Sequence, residues 1–460
     1  MARQGKDRIA GRARLLALLA AAALPLALPA SAPAADPWPS DGATPFNIRW
    51  NNSGPSAARA AQNTLVKVWQ KTLDGDVTGT PILRGDGAVY VGTWSGTVYQ
   101  LSVTTGQILW ARYVGLPNVS GANPVPGSLL LANGTLYAVV SHQSHPALVA
   151  LDPDTGLIKW SVELDNQANA DAWGSPAYSP RKNLVYVPIC ACKAEQDRVN
   201  VNVFRGNVVA VDATSGAVVW KTHTVGLGRT GGAVQGTPAV HDAIDRLFVG
   251  TGQAYTAPAD PNTDALLALD TGTGAIVGSF QAKENDFSSN SALEPTSKLG
   301  FVAAPNGLVG TGGRVLIGAG ARNGTYYTVD PTTMGAVNAS VVGAGSSYGG
   351  VIGSSAFDGG KVYGVSSTPS AFWSLAPKTG ALMWAFPGTV QYGSVSASRG
   401  VVWSVDATGF LNANNAGDGK AISRTPLLGP STGGAALGFS RVIASIGTTR
   451  GTGGGVAAFK

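Results

Sequence analysis

Four segments of this 460-residue chain share one pattern: VYQLSVTTGQILW ending at Trp110, LVALDPDTGLIKW at Trp160, VVAVDATSGAVVW at Trp220 and AFWSLAPKTGALMW at Trp384. In each, an alternating apolar stretch leads to Thr/Ser-Gly, and a Trp follows after three more residues. Trp69, in LVKVWQKTLDG, resembles the tail of one further copy, and Trp69, Trp110, Trp160 and Trp220 stand 41, 50 and 60 residues apart. The 164 residues from Trp220 to Trp384 hold about three units of propeller-blade length. Two weakened copies fill that gap: LLALDTGTGAIVGSF, with Gly278 at the Trp position, and YYTVDPTTMGAVNAS, with Ala339 there. FLNANNAGDGKAIS, with Ser423, is a seventh copy, and the Trp69 strand makes eight.

Each unit reads as four strands. Asp and Thr of D-x-x-T-G hydrogen-bond the local backbone and Gly accepts a positive φ, which suits a tight hairpin. The alternation before the turn is a strand, and VYVG or LYAV is the strand before that. VTGTPIL, AWGSPAY, VQGTPAV and VIGSSAF open their units and are short enough to crowd round an axis. The Trp after the turn is a packing residue between adjacent sheets. The sequence therefore predicts an all-β fold: an eight-bladed β-propeller of four-stranded antiparallel blades. The blades run over 77–113, 119–163, 172–224, 233–281, 286–342, 348–386 and 389–427, and the eighth joins 431–460 to the strand around Trp69. Closing the ring with both chain ends protects strands that would otherwise be exposed edges. The propeller domain spans 65–460, after an irregular lead-in over 36–64. The 62 glycines argue against a helical protein, and 44% hydrophobic with 13% charged residues excludes a disordered chain.

Residues 1–35 read as a secretory signal peptide: a basic MARQGKDRIAGRAR, an apolar LLALLAAAALPLALP, and small residues up to Ala34 or Ala35. No cysteine marks a lipoprotein site, no Arg-Arg pair marks the twin-arginine route, and no later apolar run is of membrane-span length. The protein is expected to be exported, periplasmic or extracellular. Cleavage removes five basic residues and one acidic one, leaving a net charge of +2, so nothing resembles a nucleic-acid footprint. Cys190 and Cys192 are the only cysteines. In an oxidising compartment they form a small strained disulfide or stay reduced, and no C-x-x-C-H binds haem covalently.

FVGTGQAYTAP, 248–258, has glycines two apart after an apolar run, but Tyr255 replaces the third glycine of a dinucleotide loop and no helix follows. The LDxxTGxxxW blade resembles instead the tryptophan-docking repeat of quinoprotein alcohol dehydrogenases and of the related outer-membrane assembly lipoprotein. WPSDG, GDVTGTPILRGDGAVYVGTWSGTVYQL, FRGNVVAVDATSG, GGAVQGTPAV, GTGQAYTAP with DALLALDTGTG, and ARNGTYYTVD are similar, in order, to polyvinyl-alcohol-dehydrogenase-like members. The resemblance implies pyrroloquinoline quinone and calcium. In that chemistry the metal acts as Lewis acid on a quinone carbonyl, a carboxylate takes the alcohol proton, and an Arg stabilises developing charge.

Carried over by residue, the resemblance makes Asp286, in ENDFSSNSAL, the base and Arg322, in ARNGTYYTVD, the charge-stabilising Arg. Arg205, Gln235 and Arg322 are the cofactor-binding candidates, and Gln253, Asp286 and Glu195 the metal-ligand candidates. Four positions depart from the family. Asn285 replaces a Trp before the base, Gln253 an Asn ligand, and Gln235 the Trp that floors the quinone. Val201 stands where a Glu ligand is expected, and Glu195 is among the nearest acids. His142 and His145 lack a third metal ligand.

Two functions follow from the resemblance. One is a dehydrogenase oxidising an alcohol or a polymeric alcohol and passing electrons to a separate acceptor. The other is a cofactor-free scaffold binding an envelope protein or polymer. A glycoside hydrolase needs paired carboxylates, and no pair is visible in the sequence.

Overall fold

The computed structural model describes residues 37–61, 65–115, 122–197, 199, 201–287, 299–309, 313–346, 349–449 and 453–460. Among the described residues, thirty-two strands form eight separate four-stranded antiparallel sheets. In blade 1 the strands are Ile82–Leu83, Ala88–Gly92, Thr97–Ser102 and Ile108–Tyr113, paired in that order. The strands of blades 2 to 7 span 130–163, 177–223, 239–281, 306–341, 356–387 and 396–426. Blade 8 takes three strands from the C-terminal segment, and its fourth, Lys67–Thr72, pairs with Gly455–Phe459, with Trp69 opposite Ala458. First strands of successive blades pack on one another, which puts them next to the axis and the Trp-bearing fourth strands on the rim. The expected eight-bladed β-propeller, closed by both chain ends, is the observed fold.

Apolar residues of facing sheets fill the wedges between blades. The Trp of one blade lies against the hairpin glycine of the next. A Cβ on Gly106 would lie 2.6 Å from the Trp69 ring, one on Gly156 2.7 Å from Trp110, and one on Gly216 2.7 Å from Trp160. Each indole N–H then donates to a hairpin carbonyl of that neighbour: Trp69 to Val103 O at 2.9 Å, Trp110 to Pro153 O at 3.1 Å and Trp160 to Thr214 O at 3.1 Å. Only glycine admits this approach, and its positive φ closes the turn.

The Trp-equivalent residue of blade 5 is Asn338, not Ala339. Asn338 pairs with Thr328 beside the same bulge that sets Trp160 opposite Ala150. Its side-chain amide donates to Pro377 O and Lys378 O, both at 3.2 Å, replacing the indole N–H.

The lead-in runs along the inner strands on one side of the ring. Trp38 O accepts from Leu83 N, Pro39 O from Leu131 N, Pro45 O from Val240 N, Phe46 O from Gly307 N, Ile48 O from Phe357 N, and Arg49 O from Ala397 N. The Asn51 amide donates to Leu437 O at 2.6 Å. Fourteen residues thus touch blades 1, 2, 4, 5, 6, 7 and 8 in ring order. The inner strands need hydrogen-bond partners where they face the axis, and this strap supplies them.

Candidate functional site

The opening motif of each blade places three successive residues on the axis. The first position gives a ring of Thr78, Pro126, Trp173, Gln235, Val302, Ile352, Tyr392 and Thr432, one per blade, all lining a central cavity of about 820 Å³. The second is glycine in seven blades, because the chains meet there: a Cβ on Gly79 would lie 2.6 Å from the Gly127 backbone. The third is mostly Ser or Thr. From the strap, Asp41 reaches this hydroxyl ring. Its carboxylate accepts from Thr80 Oγ1 at 3.0 Å, Ser128 Oγ at 2.9 Å and Thr237 Oγ1 at 2.8 Å, and pairs with the buried Arg49. Burial alone would raise the Asp41 pKa, but Arg49 and the hydroxyls more than offset it and hold the carboxyl below its usual range. Asp41 therefore floors the cavity, which is a cup.

Two tryptophans form one wall of the cup. Trp94 of blade 1 and Trp173 of blade 3 meet over the small Pro126, centroids 5.2 Å apart and nearly perpendicular. The Trp94 N–H donates to Thr78 Oγ1 at 2.7 Å, and the Trp173 side chain bonds the Asp171 carboxylate. With their N–H groups engaged, both indoles offer carbon surface to the cup.

The insertion between the second and third strands of blade 3 lies at the cup. Cys190 and Cys192 are joined as a disulfide at the start of the short helix Cys192–Gln196. Gln196 donates to Thr449 Oγ1 of blade 8 at 3.2 Å. Glu195 accepts from the Tyr255 hydroxyl of blade 4. Burial first, then the Glu195 charge, pushes the Tyr255 pKa well up, so the phenol keeps its proton. Cys192, Glu195 and Gln196 all line the cavity.

Glu195, Gln235 and Arg322 thus share one cup. Gln253 and Asp286 are not on its surface; they are 2% and 8% exposed. The segment before Gln235 lies over Gln253: Gly232 N donates to Gln253 O at 3.0 Å, Gly252 N to Ala233 O at 2.9 Å, and Gly231 bridges Ala254. Ala254 in turn bridges Phe287, which brings Gln253 beside Asp286. Burial raises the Asp286 pKa, with Lys283 and the Leu299 N–H opposing. Arg205 is not brought to the cup among the described residues; its guanidinium donates to Val225 O at 2.6 Å. Val201 is fully buried in a core cluster and offers no ligand. His145 lies 3.3 Å from Glu163, and no group of three or more His, Cys, Asp or Glu converges among the described residues.

Sequence reasoning missed Trp94, Trp173, Tyr255 and Asp264. Aligning the opening motifs would have found Trp173, since AWGSP and VQGTP set Trp173 and Gln235 at one position. Asp264, fully buried before the strand Ala265–Asp270, carries no motif.

Residues 57–333 match the family model described as outer membrane protein assembly factor BamB. The chain is 28% identical over 434 residues to a polyvinylalcohol dehydrogenase of Pseudomonas sp, covering 84% of this chain and 67% of that one. It is 29% identical over 359 residues to that of Sphingopyxis sp. (strain 113P3), covering 69% and 54%. The chain thus spans about half to two-thirds of the length of these relatives. The quinohemoprotein alcohol dehydrogenase from Comamonas testosteroni superposes with a TM-score of 0.74 at 17% identity, over 93% of this chain and 81% of that one. This likeness is one of fold.

Proposed function

Because the chain belongs to the PQQ-repeat propeller family, we propose that it oxidises an alcohol with pyrroloquinoline quinone and passes the electrons to a separate acceptor. The observation that carries this reading is the meeting of Arg322, Glu195 and Gln235 in one cup that also has an indole wall. The donor set fits the group. Trp173 gives a flat carbon surface, and Arg322 a cation for an anionic edge. Asp286 Oδ2 and both Asp264 oxygens are buried without partners, as oxygen ligands awaiting a cation would be. When bound, the quinone supplies the two-electron acceptor.

In this reading Trp173 and Gln235 would orient the quinone, and Arg322 would supply a cation for its anionic groups. Asp286 is the base candidate: burial raises its basicity, and Oδ1, the carboxylate oxygen not assigned to the cation, would accept the alcohol proton. The names of the polyvinylalcohol dehydrogenase relatives suggest a polymeric alcohol. The leader over 1–35 supports export, and no helix among the described residues is long and apolar enough to cross a membrane. The test is to add quinone and calcium to the purified protein, then follow cofactor absorbance and dye reduction with short and polymeric alcohols. Absence of quinone binding at saturating concentrations would sink the reading.

A second reading is a cofactor-free envelope scaffold. It is favoured by Val201, which lies in the core where the resemblance places an acidic ligand.

A further inference from the structure

Three buried carboxylate oxygens near the cup lack a hydrogen-bond partner: Oδ1 and Oδ2 of Asp264, and Oδ2 of Asp286. Asp264 is 0% exposed. Its backbone is pinned on both sides, N donating to Gly252 O and O accepting from Ala282 N, both at 2.9 Å.

Consecutive residues connect the two carboxyls. The Leu299 N–H faces the Asp286 carboxyl and lowers its pKa. Next in the chain, Gly300 leaves room for Asp264, whose Oδ1 would stand 2.5 Å from a Cβ there. The same Cβ would lie 2.9 Å from the Gly252 α-carbon, so the Gly252–Gln253 turn closes a third side. Gln253, 2% exposed, also has an unpartnered side-chain nitrogen. Its amide oxygen and nitrogen are interchangeable by a flip that only the hydrogen-bond network decides. No salt bridge reaches either carboxyl among the described residues.

A buried carboxylate without donors is costly unless a cation or a proton compensates it. Two carboxylates and an amide oxygen are the hard oxygen donors that calcium takes, and water and backbone carbonyls complete its coordination shell. We propose that Asp264, which no resemblance assigns, is a direct ligand of a divalent cation held jointly with Asp286, with the Gln253 amide as third donor. The pair then provides the negative charge that Val201 does not.

The proposal rests on the quinoprotein reading for the use of the cation, but its test needs no quinone. Calcium is titrated by calorimetry into the full chain stripped with chelator, and melting is followed with and without the ion. Wild type is expected to bind one calcium and melt higher with it. Asp264→Asn and Asp286→Asn are each expected to weaken binding by on the order of 10–100-fold or more. In chelator, Asp264→Asn should melt no lower than wild type, since it removes an uncompensated charge without changing shape. A merely structural Asp264 would give the opposite result there. Calcium affinity unchanged in Asp264→Asn overturns the proposal, as does a wild type that binds quinone but no calcium. Calcium bound without any quinone response supports the cation site and overturns the quinoprotein reading.

Discussion

Met334 of blade 5 reaches into the space above Gly278 of blade 4, its Cγ 2.6 Å from where a Gly278 Cβ would stand. At five other wedges a Trp lies over the hairpin glycine of the next blade. Here the large and small partners have changed places across the wedge. Met334 takes the left-handed turn position, with φ of 55°, that glycine holds in the other hairpins.

Reversing the exchange is the first test. Gly278→Trp alone should cost about 1–3 kcal/mol by crowding Met334. Met334→Gly alone should cost about 2–5 kcal/mol from the emptied wedge, less what relief of the positive φ returns. The double variant restores the usual arrangement and should recover stability, with a coupling of about 0.5–3 kcal/mol in denaturant titrations. Additive losses would show that the wedge is not shared.

Asp41 gives a pH-dependent prediction. Its folded pKa lies below the unfolded value, so its contribution is complete above the unfolded pKa and is lost as pH falls through the folded one. Asp41→Asn strands the buried Arg49 and should cost about 3–5 kcal/mol at pH 7. In urea melts the gap to wild type should stay constant down to about pH 4 and narrow only below it.

Asp286→Asn and Arg322→Gln should separate chemistry from binding. Asp286→Asn, with its proton acceptor gone, should lose about 100-fold or more in dye reduction while quinone absorbance is retained at saturating cofactor. Arg322→Gln should raise the quinone concentration needed for half-saturation about tenfold or more, losing a charge-assisted hydrogen bond worth about 1.5–3 kcal/mol.

Trp173→Ala tests the indole wall. Loss of one aromatic contact, about 0.5–1.5 kcal/mol, should weaken quinone binding by up to about tenfold, read by fluorescence quenching. The same loss in a variant at Trp110, on the rim, would show that the effect is indirect.

The sequence carried the fold because hairpin chemistry repeats: Asp accepts from the turn amides, glycine turns, and Trp docks. Even blade 8, split between the two chain ends, was legible from Trp69. The displaced assignment in blade 5 has a local cause. Counting from Gly335 leads to Ala339, whereas the turn closes through Met334 N to Asp330 O and so leads to Asn338. The site was legible only in part. Gln235 and Arg322 sit in repeat motifs whose place in a blade fixes their place on the axis. Asp264 and Tyr255 stand out only by burial and by neighbours far along the chain, which spacing does not encode. Gln253 is conspicuous in sequence yet covered in the structure, because the segment Gly231–Ala233, ahead of blade 4, lies over it.

The strap over residues 38–51 sets the traffic through the ring. Without it, a propeller axis would be open at both faces. With Asp41 across the base, one doorway serves for both arrival and departure. Whatever the cup takes in, a long molecule must offer an end or a bend, and it must back out before the next can enter.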